Sequence, residues 1–132
     1  TSPMYTRFQL RQIEKLVKNH LHEYKAIWTR KEVKKYLEEH NKYKTLVAVF
    51  DKHGNAMAML RFNVENDTAL ILDAIVTPEY RGKNLLRVMA TIGHYRFPFV
   101  TTIKFQDSET PDTEYKMLPI TERLLKCQKQ AN

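Results

Sequence analysis

Residues 75–89 read IVTPEYRGKNLLRVM, an apolar strand end, a proline turn and an Arg-Gly-Lys triplet that opens a helical pattern. The chemistry such a turn suits is anion binding. The first N–H groups of a helix have no acceptors within it, and its dipole is positive there. Arg81 and Lys83 add charge, and Gly82 lets backbone approach a ligand. Asn84 and Leu86 stand where a phosphate loop offers bare backbone; Asn tolerates a left-handed conformation, whereas Leu brings a branched side chain. The remaining reactive residues form weaker sets. His20 and His22 are two apart on a helix and face different sides. His53 lies in a turn and His94 late in a helix, neither with a carboxylate or cysteine partner suggesting zinc, so no metal is expected. Ser108 lacks both a nearby histidine and nucleophile-elbow glycines.

The elements that position the triplet follow from periodicity. Leu10, Ile13, Leu16, Val17 and Leu21 recur at helical spacing behind a Thr6–Gln9 capping box. A second helix starts at a Thr29–Glu32 box, with Trp28 and Val33 as a hydrophobic staple, and runs to about His40. Its inner side is Val33, Tyr36 and Leu37; its outer face carries Arg30, Lys31, Lys34 and Lys35. The period then becomes two. Thr45–Phe50, Ala56–Phe62 and Ala69–Val76 are expected as an antiparallel meander, joined by DKHGN and NVENDT. Pro78 ends the third strand, and Leu85, Leu86, Val88, Met89 and Ile92 give a helix that stops before Pro98. Phe99–Phe105 is a fourth strand, parallel to the third through a right-handed crossover. Beyond it come a polar loop, an ambiguous stretch EYKMLPI with no evident partner, and a basic tail.

At 132 residues, 42% of them hydrophobic and 28% charged, the chain is expected to be one ordered globular domain. No apolar run approaches the roughly 18 residues that cross a bilayer, and no signal peptide is visible. The lone Cys127 excludes an internal disulfide and a cysteine metal cluster, and fits a reducing, cytoplasmic setting. The initial Thr is of the kind left by initiator-Met removal, so a nearly full-length chain is expected. A net charge of +7 draws polyanions: nucleic acid, a nucleotide-like cofactor or an acidic protein.

The stretch DAIVTPEYRGKNLLR, Asp73–Arg87, resembles the phosphate-loop motif of the GNAT superfamily of N-acetyltransferases. Many members read acidic-x-x-Val-x-Pro-x-Tyr-Arg-Gly-Lys-Gly-x-Gly there, and Val76, Pro78, Glu79, Tyr80, Arg81, Gly82 and Lys83 match. VAVFDKHGNAMAMLRF is similar to the family's hairpin, and the element order agrees. The resemblance implies a single GNAT-like α/β (α+β) domain over 1–132, strongest at 45–106, with a divergent segment at 107–132. It implies acetyl-CoA as cofactor, with pantetheine along Ala74, Ile75 and Val76. The pyrophosphate would lie on the amides of Arg81, Gly82, Lys83, Asn84, Leu85 and Leu86. Asp73 takes the place of the strand carboxylate that serves relatives as base. Tyr115 takes that of the acid carried on their following helix, although the Asn preceding that Tyr is missing. The implied partner is an amine, free or on a protein.

The short strand ahead of the first helix is absent or reduced to SPMY, and no final β-hairpin is evident. A sheet edge left open in this way invites a second copy or another protein. Two other readings stand beside the enzyme. One is a GNAT-fold component without catalysis, as among phage-encoded proteins and then virion-associated. The other is a basic nucleic-acid-binding module using Arg30, Lys31, Lys34 and Lys35.

Overall fold

The computed structural model describes residues 4–20, 30–106, 111 and 114–121, the side chains of residues 30 and 31 excepted. Helix α1 spans Arg7–Asn19 and begins at the expected capping box. Gln9 N–H donates to Thr6 Oγ1 at 3.2 Å, and Thr6 N–H to Gln9 Oε1 at 2.9 Å. Helix α2 spans Arg30–Lys42. It passes His40 because His40 and Asn41 are buried, not an exposed end. Its proposed Thr29 cap and Trp28 staple, together with Leu21, His22, Ser108 and Cys127, lie outside the described residues.

Strands β1 (Leu46–Phe50), β2 (Ala56–Glu65) and β3 (Thr68–Val76) form the expected antiparallel meander. The second turn is tighter than NVENDT suggested. Asn66 adopts φ 57°, so Glu65 pairs directly with Thr68 and β2 gains three residues. After a 3₁₀ turn at Pro78–Tyr80, helix α3 covers Leu85–Arg96. Strand β4 (Thr102–Phe105) lies parallel to β3, as expected, but begins three residues later than Phe99. There the chain turns, with Val100 N–H on the Phe97 carbonyl at 3.0 Å.

The expectation that EYKMLPI has no partner is corrected. Lys116–Pro119 forms β5 and pairs antiparallel with β4, giving the order β1-β2-β3-β4-β5 among the described residues. All four β5 residues are exposed, so no alternation of apolar side chains marked the strand.

Helices α1 and α2 cover one face of the sheet, packing Ile13, Leu16, Val17, Val33 and Leu37 on Leu46, Met59 and Ile75. On the opposite face Met89 of α3 packs with Val47, Ala58, Leu60 and Phe62. No strand precedes α1 among the described residues. Tyr5 is instead clipped by Asn41, whose side chain accepts from Tyr5 N–H (2.9 Å) and donates to the Tyr5 carbonyl (3.0 Å). The Tyr5 hydroxyl accepts from Ala48 N–H at 2.9 Å. Arg96 donates to the carbonyls of Lys44 (3.1 Å) and Leu46 (2.5 Å) and to the Tyr5 hydroxyl (3.1 Å). Side chains thus answer the outer edge of β1.

One irregularity shapes the opposite side. Arg61 pairs with Asp73 but Phe62 pairs with Ile71, leaving Leu72 as an unpaired bulge in β3. Pairing with β4 is confined to Thr68, Ala69 and Leu70, so among the described residues β3 runs on beyond the bulge without a strand neighbour on that side.

Candidate functional site

The unaccompanied half of β3 presents backbone to an opening. Thr77 N–H donates to the Met57 carbonyl at 3.0 Å, which makes Thr77–Met57 a hydrogen-bonded pair. In an antiparallel ladder such pairs alternate with non-bonded ones. Ala58–Val76 and Leu60–Ala74 are therefore non-bonded, and the N–H and C=O of Ala74 and Val76 point away from β2. Ala74 is accordingly exposed although it lies mid-sheet.

The chain leaves this strand through a turn that Thr77 anchors, its hydroxyl also donating to the Met57 carbonyl at 3.1 Å. Gly82 then takes φ 81°, and a Cβ placed on it would meet nothing within 4 Å. Asn84 takes φ 62°, ψ 22°, the left-handed conformation for which the family motif uses glycine. The first amides of α3 follow, without acceptors in their own helix. Strand end, turn and helix start enclose a groove of about 500 Å³. Ala74, Ile75, Val76, Arg81, Gly82, Asn84, Leu85 and Leu86, all named from the sequence, line it. Leu86 is 51% exposed on the groove wall and does not plug it. Arg81 Nε donates to the Val76 carbonyl at 3.0 Å. Lys83 stands outside the lining, its ammonium 5.6 Å from the centre of the Tyr80 ring.

Sequence reasoning passed over two lining residues, Tyr80 and Arg87. Arg87 lies three residues after Asn84, one helical turn on, and that spacing was the available signal.

The two expected proton-transfer residues are not in the groove. Asp73 is 5% exposed on the face covered by α1 and α2, and Arg61 Nε donates to its Oδ2 at 2.5 Å. Arg61 also stacks over Tyr36 of α2. Burial pushes the Asp73 carboxyl up from the ordinary carboxylate range, against the charge and hydrogen bond of Arg61. Nearby His40 shares a 2.7 Å hydrogen bond with Thr45 Oγ1. Burial, helped by the Arg61 charge, lowers its pKa to about 4.

Tyr115 is not on a helix, contrary to the analogy that pointed to it. It immediately precedes β5, exposed, with Lys104 Nζ 4.6 Å above its ring. The β4–β5 register carries it past Phe105, and the sheet order puts β4 between β5 and β3. Lys34 and Lys35 are exposed on α2 as expected. Among the described residues no cluster of three or more histidine, cysteine or carboxylate groups could hold a metal, and no helix is long and apolar enough to cross a membrane.

No family model and no curated protein matches the sequence. Solved structures do match. A GNAT-family acetyltransferase from Brucella melitensis, in complex with acetyl-CoA, superposes with a TM-score of 0.60 at 11% identity, covering 89% of this chain and 85% of that one. A GNAT-family N-acetyltransferase from Escherichia coli, in complex with CoA, gives 0.57 at 11% identity over 92% and 81%. Spermidine N-acetyltransferase from Vibrio cholerae, in complex with CoA and spermine, gives 0.52 at 18% identity over 76% of this chain and 66% of that one. The match therefore spans just under two thirds of that enzyme. At such identities the likeness is one of fold: the chain has the GNAT fold, in a divergent form.

Proposed function

We propose that this chain is an acyl-CoA-dependent N-acetyltransferase acting on an amine. One observation carries the reading: the outward-facing backbone of Ala74 and Val76 leads straight to the left-handed turn and amide-rich start of α3. Backbone spaced in that way pairs with the amides of an extended pantetheine arm. The helix start, with Arg81 and Lys83 beside it, holds the phosphates at the end of that arm. The residues fit the group because Asn84 supplies the left-handed backbone without glycine and Leu86 stands aside on the wall. Acetyl-CoA supplies an activated thioester; the chain's part is to orient it and to move protons.

In this reading the amine attacks the thioester carbon from the open side, forming the amide as the carbon–sulfur bond breaks. Asp73 serves as the proton acceptor for the amine, reached once Arg61 yields its oxygen or through an intervening water. Tyr115, just ahead of β5 with Lys104 over its ring, protonates the departing thiolate. The net charge of +7 repels polycations at a distance, which favours an acceptor amine on a protein or a neutral molecule.

The test is thermal unfolding with acetyl-CoA. A ligand at about 100 times its dissociation constant stabilises by roughly 2.7 kcal/mol. No shift at millimolar acetyl-CoA would overturn the reading. A second reading is favoured by the Arg61 clasp on Asp73, which leaves the carboxylate engaged and buried. There the chain binds CoA without transfer. Acetyl-CoA binding with no thiol release across a panel of amines and protein lysines would select it.

A further inference from the structure

The contact between Arg81 and Val76 lies inside the groove that the donor reading assigns to pantetheine. The Val76 carbonyl points away from β2 into the opening, and Arg81 Nε sits 3.0 Å from it. The guanidinium therefore occupies the path of an extended arm at its last strand contact. A carbonyl oxygen can accept twice, but volume is the obstruction here: an incoming amide must displace the arginine. Both residues line the groove, and Arg81 is exposed there.

From this geometry we infer that Arg81 is a specificity-determining residue that makes binding depend on phosphate. It holds the Val76 carbonyl while the groove is empty and transfers to a phosphate at the start of α3 when one arrives. A phosphate-bearing thioester replaces the contact it breaks, because a guanidinium–phosphate pair is stronger than a guanidinium–carbonyl bond. A phosphate-free thioester breaks the same contact and returns nothing. The groove thus admits phosphorylated pantetheine thioesters and rejects short ones, beyond any affinity of the helix amides for phosphate. The inference rests on the donor-site reading above.

The experiment compares CoA with S-acetylpantetheine by NMR-detected titration against the native chain, Arg81→Ala and Arg81→Lys. Arg81→Ala should weaken CoA about 10-fold while tightening S-acetylpantetheine by about 3-fold to 10-fold, a reversal of sign between the two ligands. Arg81→Lys keeps a charge but lacks the Nε–H near the backbone. It should hold CoA within about 3-fold of the native chain and still bind S-acetylpantetheine more tightly. The Arg81 Nε–H resonance of the native chain should shift on adding CoA. Parallel weakening of both ligands in Arg81→Ala, or unchanged S-acetylpantetheine binding, would overturn the role of Arg81 while leaving the donor site intact. If the native chain and both variants bind neither ligand at millimolar concentration, the donor reading falls and this inference with it.

Discussion

Among the described residues, the outer edge of β1 and the far half of β3 face the same problem, strand backbone without a neighbouring strand, and resolve it in opposite ways. At β1 the Tyr5 hydroxyl takes the Ala48 amide, and Arg96 takes the carbonyls of Lys44 and Leu46. Asn41 pins Tyr5 in place. At β3 the groups of Ala74 and Val76 face a groove, and the exposed side chain of Arg81 reaches the Val76 carbonyl. A backbone group answered by residues distant in sequence is architecture. One left facing a lined cavity beside a helix start is a receptacle.

The largest expected effect separates the two. Arg96→Met removes three hydrogen bonds at the β1 edge and should cost about 2–3 kcal/mol in urea unfolding, with acetyl-CoA affinity unchanged; a large loss of affinity would mean the two regions are not independent. Gly82→Val should act on the groove instead. A β-branched residue at φ 81° is strained, and the roughly 2.7 kcal/mol of stabilisation given by saturating acetyl-CoA should vanish from thermal scans.

Acid probes the helix-covered side behind the opening. His40 is held near pKa 4 in the fold against 6.5 unfolded, so the unfolded chain binds the proton first. Stability is then full above pH 6.5 and lost as the pH falls toward 4. Between pH 7 and 5.5 the loss should be about 1 kcal/mol, and His40→Gln should flatten that limb of the stability curve. The smallest effect sharpens the receptacle itself. Leu86→Gly bares the helix start and should tighten acetyl-CoA about 3-fold, under 1 kcal/mol, by calorimetry; weaker binding would mean that Leu86 is a contact and not an obstacle.

What was legible in the sequence was local. The Thr6–Gln9 cap, the meander, the crossover and most of the groove lining depend on residues close together in the chain, and their patterns survive folding. Strand β5 was hidden because exposed Lys-Met-Leu-Pro has no periodicity to read. The Tyr5–Arg96 bond joins residues 91 positions apart, a distance at which no pattern operates. The Arg61–Asp73 pair carried a signal that went unread. A lone cation in AMAMLRF and a lone anion in ALILDAIV are each untenable in an apolar strand, and they become tenable only together. For that reason Asp73, picked out as a base, is found clasped by Arg61.

The unpaired Leu72 has a wider consequence. Pairing with β4 stops at Leu70, two residues before that supernumerary one, so the cavity depends on a count of residues more than on their identities. Substitutions along β3 retune such a cavity. Excising a single position there would let the pleat zip shut and turn a container back into a wall.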